Sequence, residues 1–227
     1  SRWVVVRKGE DGSMVTESHA RYADEIAPKR SAPEMKLTGK KGLGGFSAGR
    51  FTDDLDKLDI RSVTVNIWIS YLIYSYDKGG DIPHEYGGKT FYFDKATVER
   101  MDRTFEECTK RGIITSAITL ISLGSADPAL TPLFLHPDNE GGFYTMPNMT
   151  TAESVNAYAA ALDFLADRYS EGSHGRINNW IIHNEVDAGM EWTNMGVQPF
   201  EVFMDAYIKS MRLNYNIARQ YDQHTWV

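Results

Sequence analysis

Three stretches rich in β-branched and aromatic residues alternate with three amphipathic stretches, and this alternation is the tightest constraint on the fold. The first group comprises "SVTVNIWISYLIY" (62–74), "IITSAITLIS" (113–122) and "INNWIIHNEVD" (177–187). Their near-continuous hydrophobicity predicts strands buried on both faces, as in a parallel sheet. Between and after them run residues 94–112, 151–170 and 198–222. In 94–112, Val98, Met101, Phe105 and Cys108 recur at three- to four-residue spacing, the apolar stripe of a helix. Gly112 is placed to end that helix as a C-terminal cap, and Thr151 to begin the next as an N-cap. "HTWV" (224–227) opens one more strand.

Strand, helix, strand, helix, in units of roughly 45 to 65 residues, predicts a parallel α/β fold. The glycine-rich stretch "GKKGLGG" (39–45) lacks the spacing of a P-loop or a dinucleotide fingerprint. That favours a (β/α)8 barrel over a doubly wound nucleotide-binding sheet. A barrel of this kind usually needs about 250 residues. With units as long as 45 to 65 residues, the 227 residues here are expected to hold only its first half to first five strands, in residues 36–227. Residues 1–35 are read as an N-terminal extension or the end of a preceding segment. "WVVVR" (3–7) is a strand candidate, "EMKLTGKKGLGGF" a possible first barrel strand and "DDLDKLDI" a short helix. Residues 75–93 and the proline-rich 123–150 are expected to be loops.

Charge and cysteine content narrow the function. A net charge of -7 excludes the basic face of a general nucleic-acid binder. The single cysteine, Cys108, cannot close an internal disulfide and is read as a packing residue. No apolar run has the length of a membrane span. Neither a cofactor nor a protein partner is implied, and "NMT" (148–150) is read as a chance sequon.

The chemistry concentrates at the end of the third strand, where His183, Asn184, Glu185 and Asp187 follow a short apolar run. In a parallel barrel the carboxyl ends of strands carry the catalytic groups. A carboxylate walled by apolar side chains holds its proton to higher pH, as a general acid must. A strand ending in Asn-Glu, the fourth of a barrel, resembles the acid/base strand of the retaining glycoside hydrolases grouped as clan A. "NNWIIHNEVDAGMEWTNMG" is also similar to a functionally uncharacterised bacterial family of barrel proteins. The clan resemblance implies Glu185 as the acid/base carboxylate and Asn184 as the amide that bonds a sugar 2-hydroxyl. It implies a second, nucleophilic glutamate on a seventh strand, which this sequence does not contain. Where the clan often has proline after the glutamate, this chain has Val186. A carbohydrate substrate is the expected ligand, and an extracellular or periplasmic location is favoured on that reading.

Aromatic residues in the following loops suit stacking on sugar rings. Trp192, Tyr144 and Tyr76 are candidate substrate contacts, with His183 and Asn66 as polar ones. Two alternatives stand beside this reading. If the strand stays regular, His183, Glu185 and Asp187 share one face, and His183 with Glu185 could ligate a metal together with His84, His136 or His224. The chain is otherwise a barrel that binds carbohydrate without cleaving it.

Overall fold

In a computed structural model of the chain the described residues are 2–22, 25–49 and 51–227. Four parallel strands lie side by side in chain order: β1 (Gly42–Leu43), β2 (Ser62–Trp68), β3 (Ile114–Leu120) and β4 (Asn179–Ile181). Helix α1 (Lys95–Lys110) joins β2 to β3, α2 (Ala152–Arg168) joins β3 to β4, and α3 (Phe200–Tyr221) follows β4. Trp226 then bridges Asn179 in parallel, and Trp180 N donates to Trp226 O at 2.8 Å. "HTWV" thus takes the fifth place in the same direction. The fold is α/β with a singly wound parallel sheet. It is open, and no closed barrel forms among the described residues.

The alternation of β2 decides what faces what. Val63, Val65 and Ile67 are buried, whereas Asn66 and Trp68 are exposed. Register pairs the buried set with Thr115, Ala117 and Thr119 of β3, and Ala117 with Trp180 of β4. This face packs on Val98, Phe105 and Cys108 of α1 and on Tyr158, Ala161 and Leu165 of α2. The expectation of a strand buried on both faces is corrected here: β2 turns Asn66 and Trp68 away from the helix layer. Met101 lies at the edge of the core. Burial pushes the Cys108 thiol up to about 11, in keeping with a packing residue.

The helix ends follow their capping residues. Asp94 Oδ1 accepts from Thr97 N at 2.7 Å, and Thr151 Oγ1 from Ser154 N at 3.1 Å. Gly112, with φ +65°, ends the turn after α1.

Two expectations about loops are revised. The stretch 62–74 is not one strand. β2 stops at Trp68, a 3-10 turn covers Ile69–Tyr71, and Ile73–Tyr74 joins a separate antiparallel sheet. That sheet is completed by Ile82–Tyr86 and Lys89–Phe93, inside a segment expected to be loop. Gly87 and Gly88, with φ +55° and +75°, make the two-residue turn that lets these strands pair. In the other long loop, Thr131–Phe134 forms a single helical turn with Pro132 at its start. At the N-terminal end, Val6–Lys8 pairs with Met14–Thr16 as an exposed hairpin.

Candidate active site

β4 ends earlier than its sequence suggests. Only Asn179–Ile181 pairs with β3, in the register Ser116↔Asn179 to Ile118↔Ile181. Ile182 and His183 are both buried, which breaks the alternation. The Ile182–His183 peptide is cis. Asn184 is half-buried and Glu185 exposed. Glu185 adopts φ +42°, a left-handed backbone that costs a non-glycine residue about 1–3 kcal/mol. Its carbonyl accepts from Ala188 N at 2.9 Å, closing the turn.

The one-face arrangement of His183, Glu185 and Asp187 is therefore not formed. His183 is 5% exposed, and its ring lies between β3 and α3. Nδ1 donates to the Thr119 carbonyl at 3.1 Å, and Nε2 lies 3.2 Å from Ser210 Oγ. A backbone carbonyl only accepts, so the proton sits on Nδ1 and Nε2 can only accept, and Tyr207 O at 2.8 Å competes with it for the one Ser210 hydroxyl proton. Burial lowers the His183 pKa to about 4, the bond to Thr119 opposing the shift. The ring is neutral and tied on both sides, so His183 braces the strand end.

The other histidines do not converge on it. His84 Nε2 pairs with Asp163 at 3.0 Å, His136 Nδ1 accepts from Asp138 N at 3.2 Å, and His224 is exposed. Among the described residues no group of three His, Cys, Asp or Glu side chains could hold a metal ion. The donor set required by the metal reading is not assembled.

What does assemble is an aromatic wall. Trp68, 45% exposed at the carboxyl end of β2, donates Nε1–H to Tyr144 Oη at 3.0 Å. The Tyr144 ring stacks on Trp192 at 5.3 Å and 20°, and Phe143 tilts against Trp192 at 6.0 Å. These rings come from the carboxyl end of one strand and from the loops after two others. The loops are locked together: Phe143 N and Tyr144 N both donate to Glu191 O, and Met146 N donates to Asn194 O. Asn194, 1% exposed, is the pin. Its Oδ1 accepts from Glu140 N and Gly196 N, and its Nδ2 donates to Met190 O. Gly142 is required here, because a Cβ would lie 2.4 Å from Met190 O.

Asn66 and Trp68 line a cavity of about 540 Å3 with Phe46, Tyr71 and Ser122. Tyr76 stands apart, 52% exposed and in edge contact with Tyr74. Of the anticipated residues, Tyr144 and Trp192 are thus brought together, and Asn66 lines the cavity that Trp68 also lines. His183 and Tyr76 are not part of the group. Trp68 and Asn194 were not singled out as site residues. The two-residue offset of Trp68 from Asn66 was the available signal for the first. Glu185 is exposed, so the apolar walls expected around it are not supplied by the described residues.

Residues 33–227 match the family described as "Family of unknown function (DUF5722)". No curated protein matches the chain. Among solved structures it is similar to the β-glycosidase of the hyperthermophile Thermosphaera aggregans, at 14% identity and a TM-score of 0.46, over 77% of this chain and 40% of that one. It is also similar to the pneumococcal virulence factor StrH, described with N-glycan recognition and hydrolysis. That match has 13% identity and a TM-score of 0.48, over 82% of this chain and 52% of that one. The chain spans about half the length, or less, of these two structures.

Proposed function

The chain belongs to that family of unknown function, and from the geometry at its strand ends we propose that it is the acid/base half of a retaining glycosidase built on a (β/α)8 barrel. The observation that carries this reading is the position of Asn184 and Glu185 just beyond the carboxyl end of β4. They follow β4 at the same, carboxyl end of the sheet as the Trp68–Tyr144–Trp192 wall. In this reading the apolar face of a sugar ring stacks on the wall, and Asn184 bonds the 2-hydroxyl. Glu185 protonates the leaving oxygen, then takes a proton from the water that releases the sugar. The nucleophile is a second carboxylate about 5–5.5 Å from Glu185, which we assign to a later strand of the barrel. Those strands would also supply the walls that leave Glu185 exposed here. Asp187, two residues away on the same turn, is too local for the nucleophile's role.

The test compares wild type with Glu185→Gln in the full-length protein that carries the later strands, since residues 1–227 alone are expected to be inactive, on aryl glycosides and polysaccharides, with and without a chelator. Loss of a general acid is expected to lower kcat about 10²- to 10⁴-fold. Azide should restore turnover on activated aryl glycosides, and the chelator should have no effect. Full activity in Glu185→Gln would reduce the Asn-Glu tip to a polar strand end.

A further inference from the structure

The cavity of about 540 Å3 that Trp68 shares with the aromatic wall is bounded on its other side by α1 and by the chain leaving β1. Phe46 N to Thr64 O, at 2.9 Å, is the last main-chain bond between that chain and β2 among the described residues. Ala48 N then turns to Thr104 Oγ1 on α1, at 3.1 Å. Beyond Thr64 the edge of β2 is open, and the cavity fills the gap between this edge and α1.

Its lining suits a sugar. Phe46, Trp68, Leu72 and Met101 give it rings and apolar bodies. Ser47, Asn66, Tyr71 and Ser122 give it polar side chains. None of these four is buried, and none has a side-chain hydrogen-bond partner among the described residues. Thr97 and Thr104 are already engaged, with Arg100 Nη2 at 2.9 Å and with Ala48 N.

The charge in the lining has one sign. Arg100 is exposed, is the one charged side chain lining the cavity, and has no carboxylate partner among the described residues. Asp102 on the same helix is taken by Arg168 and Tyr169. Glu99 points about 100° away around the helix, and Arg103, one turn on, adds a second cation without a carboxylate. The carboxylates of Glu185, Asp187 and Glu191 belong to the loop after β4, on the opposite side of β2. A free guanidinium is a fork of donors matched to a carboxylate or a sulfate. β2 lies two strand spacings from β4, about 10 Å, and the cavity is on its far side. Its occupant is therefore not the sugar whose bond Glu185 would break.

We propose that this cavity is a remote subsite for an anionic sugar, whose carboxylate or sulfate is bound by Arg100. The assignment rests on the glycosidase reading and names its substrate class, an acidic oligo- or polysaccharide.

The test uses the full-length protein that carries the later strands, in the Glu185→Gln background so that bound glycans are not cut. This protein, with and without Arg100→Gln, is applied to an array of neutral, uronate-bearing and sulfated oligosaccharides. Acidic glycans are expected to bind, and neutral ones of the same length to bind about tenfold or more weakly. Arg100→Gln should lower the affinity for acidic glycans about 10- to 100-fold, as loss of a charge-assisted hydrogen bond gives. Arg100→Lys should recover part of it, and the uronate and sulfate arms identify the anion. The Arg100 side chain is exposed and makes one hydrogen bond among the described residues, to Thr97, so Tm should not change. With Glu185 in place, Arg100→Gln should raise KM on the acidic glycan at unchanged kcat and leave aryl monoglycosides unaffected. The proposal is overturned by neutral glycans bound as tightly as acidic ones, by no binding of any acidic glycan, or by equal affinity in Arg100→Gln. None of these outcomes touches the Glu185→Gln kinetics on aryl glycosides, which decide the glycosidase reading by themselves. Full activity in that variant, with Arg100-dependent binding kept, leaves a subsite for acidic glycans and removes the acid/base role of Glu185.

Discussion

His183 shows how a single residue can fix a strand tip. It spends both ring nitrogens on Thr119 and Ser210, so the backbone that carries Asn184 and Glu185 is anchored to β3 and α3 at once. The Ser210 hydroxyl has a second acceptor in reach, Tyr207 O at 2.8 Å. The pKa of His183 falls from 6.5 to about 4 in the fold, mainly through burial. The unfolded chain therefore binds a proton that the folded chain refuses between these values. The contribution is fully present above about pH 6.5, declines as pH falls toward 4, and changes no further below. It amounts to roughly 3 kcal/mol at most. Urea denaturation of wild type and His183→Gln across this window should show a steeper loss in wild type, and a variant about 1–3 kcal/mol less stable at pH 7. Parallel slopes would mean that His183 is solvated. At this scale the sequence was legible only in part. Period-two alternation applies while a strand is paired, and β4 is paired for three residues. The chain then turns with a positive φ at Glu185, which no alternation rule anticipates from an Asn-Glu pair. Asn184 and Glu185 could be read as a strand-end pair from their residue types, but the burial of His183 could not.

Between elements, the aromatic wall depends on loops that hold each other. Residues 139–146 and 190–196 have little secondary structure of their own and exchange backbone hydrogen bonds instead. Asn194, itself buried, satisfies two backbone amides and one carbonyl, of which the Gly196 amide is the buried one. Asn194→Ala strands these groups, at a cost of about 1–3 kcal/mol for each one left unpaired. The expected result is a lower Tm and altered tryptophan fluorescence, because Trp192 loses its register with Tyr144. A variant with unchanged emission would show that the stack stands without its pin. Helices α1, α2 and α3 were legible because their apolar spacing and caps are local signals. The Ile82–Phe93 hairpin was not read, although its Gly87–Gly88 turn is a hairpin signal. Pro83 interrupts its first strand, and pairing with Ile73–Tyr74 is a tertiary fact.

For the whole molecule, the order of strands was legible and their closure was not. Rhythm in a sequence orders neighbours. Whether a sheet closes depends on pairing between distant edges, which local patterns do not encode. The same holds for the long-range ties that draw the early residues onto the sheet's base. Lys29 bonds Tyr221 and Asp163, and Arg30 pairs with Asp167 and Glu171. The deepest tie is Arg176, just before β4. Its Nη1 donates to Pro33 O at 2.7 Å and its Nη2 to Asp222 Oδ2 at 2.6 Å, with both side chains 5% exposed or less. Desolvating two charges offsets much of their attraction, so the pair adds little net stability over an apolar replacement, but removing one partner leaves the other charge buried alone. Arg176→Met is therefore expected to cost about 3–5 kcal/mol. Combined with Asp222→Leu, it should cost clearly less than the sum of the two single changes. Urea denaturation of the four proteins in a double-mutant cycle measures this coupling. Additive losses would mean that the two side chains do not share a dry contact.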